Sequence, residues 1–175
     1  MTIMPIRVLG DPVLKAATQP VETFDRSLRT LCDDMLETMY DAPGVGLAAP
    51  QIGLSLRLFV YDDGRGSGSG IVANPELSPV GEETIEDEEG CLSIPGIFHV
   101  TRRAYRVLLT GQDGNGKPLS LEGEELLARV FQHETDHLGG LLYIDRLSAE
   151  DRRQVMAELR LQELEPERRR FRRSQ

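Results

Sequence analysis

The sequence predicts an α+β fold, with small antiparallel or mixed β-sheets packed around a central helix and a further helix at the C-terminus. Three observations carry this expectation. Helical periodicity is confined to one early stretch and two late ones, short strand patterns cluster between them, and Gly- and Asp-rich turns separate the strands. The order is a run of strands flanked by helices rather than strict strand–helix alternation.

Each element has its own warrant. After an extended N-terminal segment, Phe24, Leu28, Leu31, Met35, Leu36 and Met39 recur at helical spacing and predict a helix near 25–41, with Cys32 on its buried side. Short strands are expected at 56–62, 71–73, 76–79, 84–87 and 97–101. Val107-Leu108-Leu109 and Pro118-Leu119-Ser120-Leu121 read as a hairpin across Asp113-Gly114-Asn115-Gly116. Gly64–Gly70 reads as a flexible loop within one domain, because strand patterns resume beyond it. The next helix is expected over 124–138, since Glu125 through Gln132 includes neither glycine nor proline. Ser148 with Asp151 reads as a capping box opening a last helix that Pro166 should end. One domain over 1–165 and a basic tail over 166–175 follow, with no internal repeat.

Composition narrows the function. A chain of 175 residues is long enough for one well-packed domain. Two cysteines provide no disulfide framework, and Met1 through Arg7 lack the basic-then-apolar pattern of a signal peptide. No stretch approaches the length of a membrane span, so a cytoplasmic protein is expected. The net charge of −9 argues against general or sequence-specific nucleic-acid binding. Charge is nonetheless unevenly placed. Glu82, Glu83, Glu86, Asp87, Glu88 and Glu89 form an acidic run, whereas Arg168, Arg169, Arg170, Arg172 and Arg173 crowd the end.

The most informative stretch is His133-Glu134-Thr135-Asp136-His137. Histidines four apart on a helix are offset by roughly 40° and about 6 Å, so their ring nitrogens can converge on one metal ion. Glu134 projects to one side between them, badly placed as a ligand and well placed to take a proton from water at the metal. Leu126, Val130, His133 and His137 share one stripe, while Arg129, Gln132 and Asp136 fall away from it. Buried imidazoles on an apolar stripe need a partner, and a metal is the simplest. A third ligand is required. Glu158 is possible on spacing but sits in a charged, solvated helical pattern, whereas Cys91 lies in an ordered run, Glu89-Gly90-Cys91-Leu92-Ser93. Cys91, His133 and His137 are therefore the expected set, with a fourth position open to water.

These residues complete a wider pattern. Gly44-Val45-Gly46-Leu47-Ala48-Ala49-Pro50-Gln51-Ile52-Gly53, then Glu89-Gly90-Cys91-Leu92-Ser93, then Gln132-His133-Glu134-Thr135-Asp136-His137 occur in order. Together they resemble the peptide deformylases, and the Cys-Leu-Ser form resembles the bacterial type. The resemblance runs from Ile6 to Leu147. It implies a metal-dependent hydrolase that removes the formyl group from the N-terminal N-formylmethionine of newly made polypeptides. It also implies that Glu134 is the general base, that Gln51 and the backbone N–H of Leu92 stabilise the oxyanion, and that Gly44, Val45, Gly46, Glu89 and Gly90 border the bound peptide. Val45, Leu126, Val130 and the flank of His133 would hold the methionine side chain. One thiolate with two imidazoles suits Zn²⁺ or Fe²⁺. Likeness to the bacterial enzymes implies Fe²⁺ in the cell, with Zn²⁺ or another divalent ion in purified protein, and a ribosome contact through the basic tail. Relative to the family pattern, Glu125 stands where glycine is frequent, and Phe98 where some relatives carry a basic residue. A zinc peptidase with a downstream ligand, or a non-catalytic ribosome-associated protein, are the competing readings. Glu89 and Arg103 are a candidate structural pair.

Overall fold

The computed structural model describes residues 2–64 and 68–173, with side chains in the last helix described to residue 164, residue 163 excepted. The order is α1 (Arg26–Asp41), β1 (Gly46–Ala48), β2 (Leu58–Tyr61), β3 (Gly70–Pro79), β4 (Thr84–Cys91), β5 (Ile94–Ala104), β6 (Arg106–Gln112), β7 (Pro118–Glu124), α2 (Glu125–Leu138) and α3 (Ala149–Arg173). Five strands form one sheet in the order β1-β2-β3-β6-β7, and β4 with β5 form a separate two-stranded sheet. The ladders among the described strands are antiparallel, and one isolated parallel bridge joins Gln19 to Leu56.

The alternation of β2 explains how the larger sheet is covered. Leu58 and Val60 point to one face, where they pack with Leu28, Cys32, Met35 and Met39 of α1. Phe59 and Tyr61 point to the other, against Val130 and Phe131 of α2. Tyr61 meets Phe131 edge-on with ring centroids 5.0 Å apart. Cys32 is fully buried and burial pushes its thiol up to about 11, which fits its expected place in the core. A third apolar cluster, of Ile94, Ile97, Leu142, Tyr143, Ile144 and Val155, joins β5 to the start of α3.

Several local differences have physical causes. The strands expected at 71–73 and 76–79 are one strand, β3, interrupted where Asn74 takes φ 52° and the register with β6 shifts between Ala73 and Glu76. The strands expected at 84–87 and 97–101 extend into a long β4–β5 hairpin, because pairing continues to Cys91↔Ile94. The hairpin over 106–124 forms as expected, with Asp113 Oδ1 accepting from the N–H groups of Asn115 and Lys117. Ser148 Oγ accepts from Asp151 N at 3.1 Å, capping α3.

α3 does not stop at Pro166 but runs through it to Arg173. Proline removes one intrahelical donor, and the Glu-, Leu- and Arg-rich flanks on both sides carry the helix across the gap. Residues 65–67 of the expected Gly64–Gly70 loop and the last two residues of the expected tail lie outside the described residues. No described helix is long and apolar enough to cross a membrane.

Candidate metal centre and cleft

Cys91 ends β4 at a register shift in the β4–β5 hairpin, and α2 carries both histidines. The three donor atoms lie within 4.8 Å of one another. Cys91 Sγ is 3.3 Å from His137 Nε2, and the two Nε2 atoms are 3.2 Å apart. Donors bound tetrahedrally at 2.0–2.1 Å (nitrogen) and 2.3 Å (sulfur) stand roughly 3.4–3.6 Å apart, so this spacing fits a four-coordinate ion. Both histidines are buried and Cys91 partly so. Burial, then the neighbouring His133, holds His137 well below the usual histidine range, leaving a neutral nitrogen donor. Glu158 is exposed on α3 and is not among the converging donors.

Glu134 is 3% exposed, and its Oε2 has no protein partner among the described residues. Burial first, with the charge of Glu89 adding and that of His133 opposing, pushes its carboxyl up to about 7. The carboxylate reaches this place because Gly46 has no side chain. A Cβ at Gly46 would sit 2.8 Å from Glu134 Cδ. Gln51 is buried in the 3₁₀ turn over Ala49–Ile52 that follows β1. Its Oε1 accepts from Ala48 N at 2.8 Å, which turns Nε2 toward Cys91 Sγ at 3.6 Å and Ser93 Oγ at 3.3 Å.

A cleft of about 550 Å³ opens over these groups, lined on one side by Gly44, Val45 and Gly46 and on the other by Gly90, Cys91 and Leu92. Leu126, Val130, His133 and Glu134 form part of its lining. Among the described residues β1 pairs only with β2, and β4 only with β5, so each keeps one edge without a strand partner there.

Glu89 borders the cleft, but its carboxylate is turned into an ion network and only 4% of the residue is exposed. Oε1 accepts from His133 Nδ1 at 2.7 Å and from Arg103 Nη2 at 2.6 Å. Oε2 accepts from Arg103 Nε at 3.0 Å and from Arg129 Nη1 at 2.7 Å. Burial alone would raise the Glu89 carboxyl, yet the bonds from Arg103 and His133 hold it well below the carboxylate range. Arg103 Nη1 also donates to Asp136 Oδ2 at 2.7 Å, and Arg146 grips the same carboxylate.

The expected pairing of Glu89 with Arg103 is present. The expectation that Arg129 and Asp136 fall away from the buried stripe fails, because both are buried in this network. On a helical wheel they stand only about 40–60° from His133, close enough for a charged partner to draw them inward. The sequence assigns Ser93 no role beyond its place in the Cys-Leu-Ser run, and Arg146 none. Their partners lie 42 and 10 residues away, and no periodicity marks such pairs.

An H-E-x-x-H helix, a converging thiol and a cleft between two strand edges define a metal-dependent hydrolase acting on an extended peptide. The family model described as polypeptide deformylase matches residues 3–153. A peptide deformylase of Parafrankia sp. is 52% identical over 160 residues, covering 91% of this chain and 87% of that one. That of Rhizobium meliloti is 48% identical over 151 residues, covering 85% and 87%. The solved peptide deformylase of Legionella pneumophila superposes with a TM-score of 0.85 at 48% identity, covering 92% of this chain and 98% of that one. The chain belongs to the polypeptide deformylase family. It is a metal-dependent hydrolase that removes the formyl group from the amino terminus of newly made polypeptides.

Proposed function

We propose that Cys91, His133 and His137 hold one divalent ion, Fe²⁺ in the cell, and that Glu134, Gln51 and Leu92 carry out deformylation beside it. The convergence of one thiol and two imidazole nitrogens is the observation that supports this most. The soft thiolate with two imidazoles suits Fe²⁺ or Zn²⁺, and likeness to the bacterial enzymes favours iron, with Zn²⁺ or another ion substituting in purified protein. When bound, the ion supplies Lewis acidity, polarising the formyl oxygen and making water at the site easier to deprotonate.

The remaining steps belong to the chain. Glu134, buried and raised to about 7, accepts the proton of the attacking water and returns it to the leaving amine nitrogen. Gln51 Nε2, held by its Oε1 bond to Ala48, and the backbone N–H of Leu92 donate to the developing oxyanion. The free edges at Gly44–Gly46 and Glu89–Gly90 pair with the peptide backbone, Glu89 contributing only its main chain. Val45, Leu126 and Val130 enclose the methionine side chain and exclude water from the reacting amide. The products are formate and a peptide with a free amino terminus.

The chain works in the cytoplasm, where formylated nascent chains emerge, as one domain over 1–165. The arginines of 168–173 suit ribosomal RNA electrostatically. Truncation after Glu165 should weaken ribosome co-sedimentation and spare hydrolysis of a short formyl peptide; unchanged co-sedimentation refutes the tail contact. The central test is formate release from N-formyl-Met-Ala-Ser by protein purified without oxygen, with iron and with zinc. Turnover restored by iron supports the reading, and a centre gaining nothing from iron overturns the metal assignment.

A further inference from the structure

A second cavity, of about 390 Å³, opens beside α2 and shares no lining residue with the cleft. Its ionisable lining is Arg102, Arg103, Asp136 and Arg146, three guanidiniums against one carboxylate. This is a positive spot on a chain whose net charge is −9. Arg103 is 5% exposed, so one of the three positive charges is fixed in the wall. The carboxylate is already engaged, since Asp136 accepts from Arg103 Nη1 and from Nε and Nη2 of Arg146. Arg146 Nη1 makes no hydrogen bond among the described residues. Arg102 has still more to offer. Glu86 stands opposite it on the β4–β5 ladder, yet among the described residues no ion pair joins them. Arg102 turns instead to Thr84, whose Oγ1 accepts from Nε at 3.0 Å. Both Nη groups of Arg102 are left without an acceptor among the described residues, and the Thr84 hydroxyl keeps its proton to donate. Gln132, also in the lining, is fully committed to the backbone of Ala104 and Ala128.

We infer that this cavity is a binding site for a phosphate group, held by Arg102 and Arg146 with the Thr84 hydroxyl as a further donor. A planar guanidinium can give a phosphate two parallel N–H bonds, and two guanidiniums match the double negative charge of a phosphate dianion. The volume admits either the free ion or the phosphate end of a small phosphomonoester. The donors stay open to water, because Arg102 is exposed and the Arg146 side chain is 47% exposed. Two screened contacts of this kind set a weak affinity, with Kd on the order of 5 mM. The site is independent of the deformylation steps, since none of its residues lines the cleft.

The experiment titrates the zinc-loaded full chain with inorganic phosphate and, separately, with AMP, against sodium chloride of equal ionic strength, following heat of binding and Tm. Saturable binding is expected, with Tm raised by about 3–6 °C at a phosphate concentration of about ten times Kd. Arg102→Gln and Arg146→Gln should each weaken binding about fivefold or more. Arg26→Gln, on the exposed start of α1, should leave it unchanged. Arg102 is exposed and bonds to neither Glu89 nor Asp136, so its substitution tests the site without disturbing the buried ions. AMP binding at least as tightly as phosphate identifies a phosphomonoester as the occupant, and weaker AMP binding identifies the free ion; either supports the site. Stabilisation that never saturates is the general effect of phosphate excluded from protein surfaces; it means an adventitious ion only and overturns the site. Saturable binding that Arg102→Gln and Arg146→Gln both leave unmoved places the anion elsewhere and overturns it as well.

Discussion

Replacing Arg103 by methionine tests whether the buried ions hold the metal ligands in place. Arg103 is 5% exposed and makes three charge-assisted bonds, two to Glu89 and one to Asp136. Each such bond contributes about 1.5–3 kcal/mol, but the carboxylates keep other partners and methionine refills much of the volume. Glu89 retains Arg129 and His133, and Asp136 retains Arg146. The net cost should be about 3–5 kcal/mol, the range for breaking a buried pair from one side. For a chain of this length that lowers Tm by roughly 6–20 °C. Because Glu89 also orients the His133 ring, metal affinity should fall about tenfold, the low end for loss of support behind a ligand. Calorimetry on metal-free and metal-loaded protein and competition with a chromogenic chelator measure the two effects separately. A Tm within about 2 °C of the parent together with unchanged metal affinity would refute the reasoning.

Other perturbations isolate single features. Glu134→Gln should retain stoichiometric metal and lose turnover by several orders of magnitude; wild-type kcat would remove it as the base. Gly46→Ala should push the Glu134 carboxylate aside and lower kcat at least tenfold with metal content unchanged, since a misplacement of about 1 Å is enough; an unaltered kcat would show that the close approach is not needed. Glu125 holds φ 51°, a left-handed conformation that favours glycine, so Glu125→Gly should stabilise by about 0.5–1 kcal/mol and raise Tm by a few degrees; a fall would show that its side-chain interactions outweigh the strain. The Glu89 carboxyl is depressed below its unfolded value of 4.5, so the stability it contributes is complete above that pH and is lost as the pH falls through and below it. The Tm gap between wild type and Glu89→Gln should therefore be constant above about pH 5 and narrow steadily as the pH falls below it, still open at about pH 3; a gap that does not narrow on acidification would contradict the ion-pair account.

The sequence made legible what is local or repeated. The H-E-x-x-H helix, the amphipathic α1 and the hairpin over 106–124 each carry their own period or turn chemistry, and each formed as expected. Cys91 was found because two cysteines offer few choices and Cys32 has an evident place in the core. β1 was not legible, since Gly46-Leu47-Ala48 is too short to show alternation and reads as part of a turn. Beyond the Glu89–Arg103 pair, the ion network is not legible because its members come from β4, β5, α2 and the turn after Tyr143, and charged residues ordinarily point to solvent. The split of β3 was half visible. The strands expected at 71–73 and 76–79 leave residues 74 and 75 between them, and the break there is a register shift within one strand.

The thiol and the imidazoles arrive on separate architectural pieces, one at the tip of the isolated β4–β5 ribbon and the others on a helix laid across the main sheet. Among the described residues no backbone ladder fastens the ribbon to that sheet, so the donors come together only after both pieces have docked. A half-made chain thus presents scattered weak ligands instead of a finished trap. Completion of the metal site then follows docking, reserved for molecules whose shielding walls already stand.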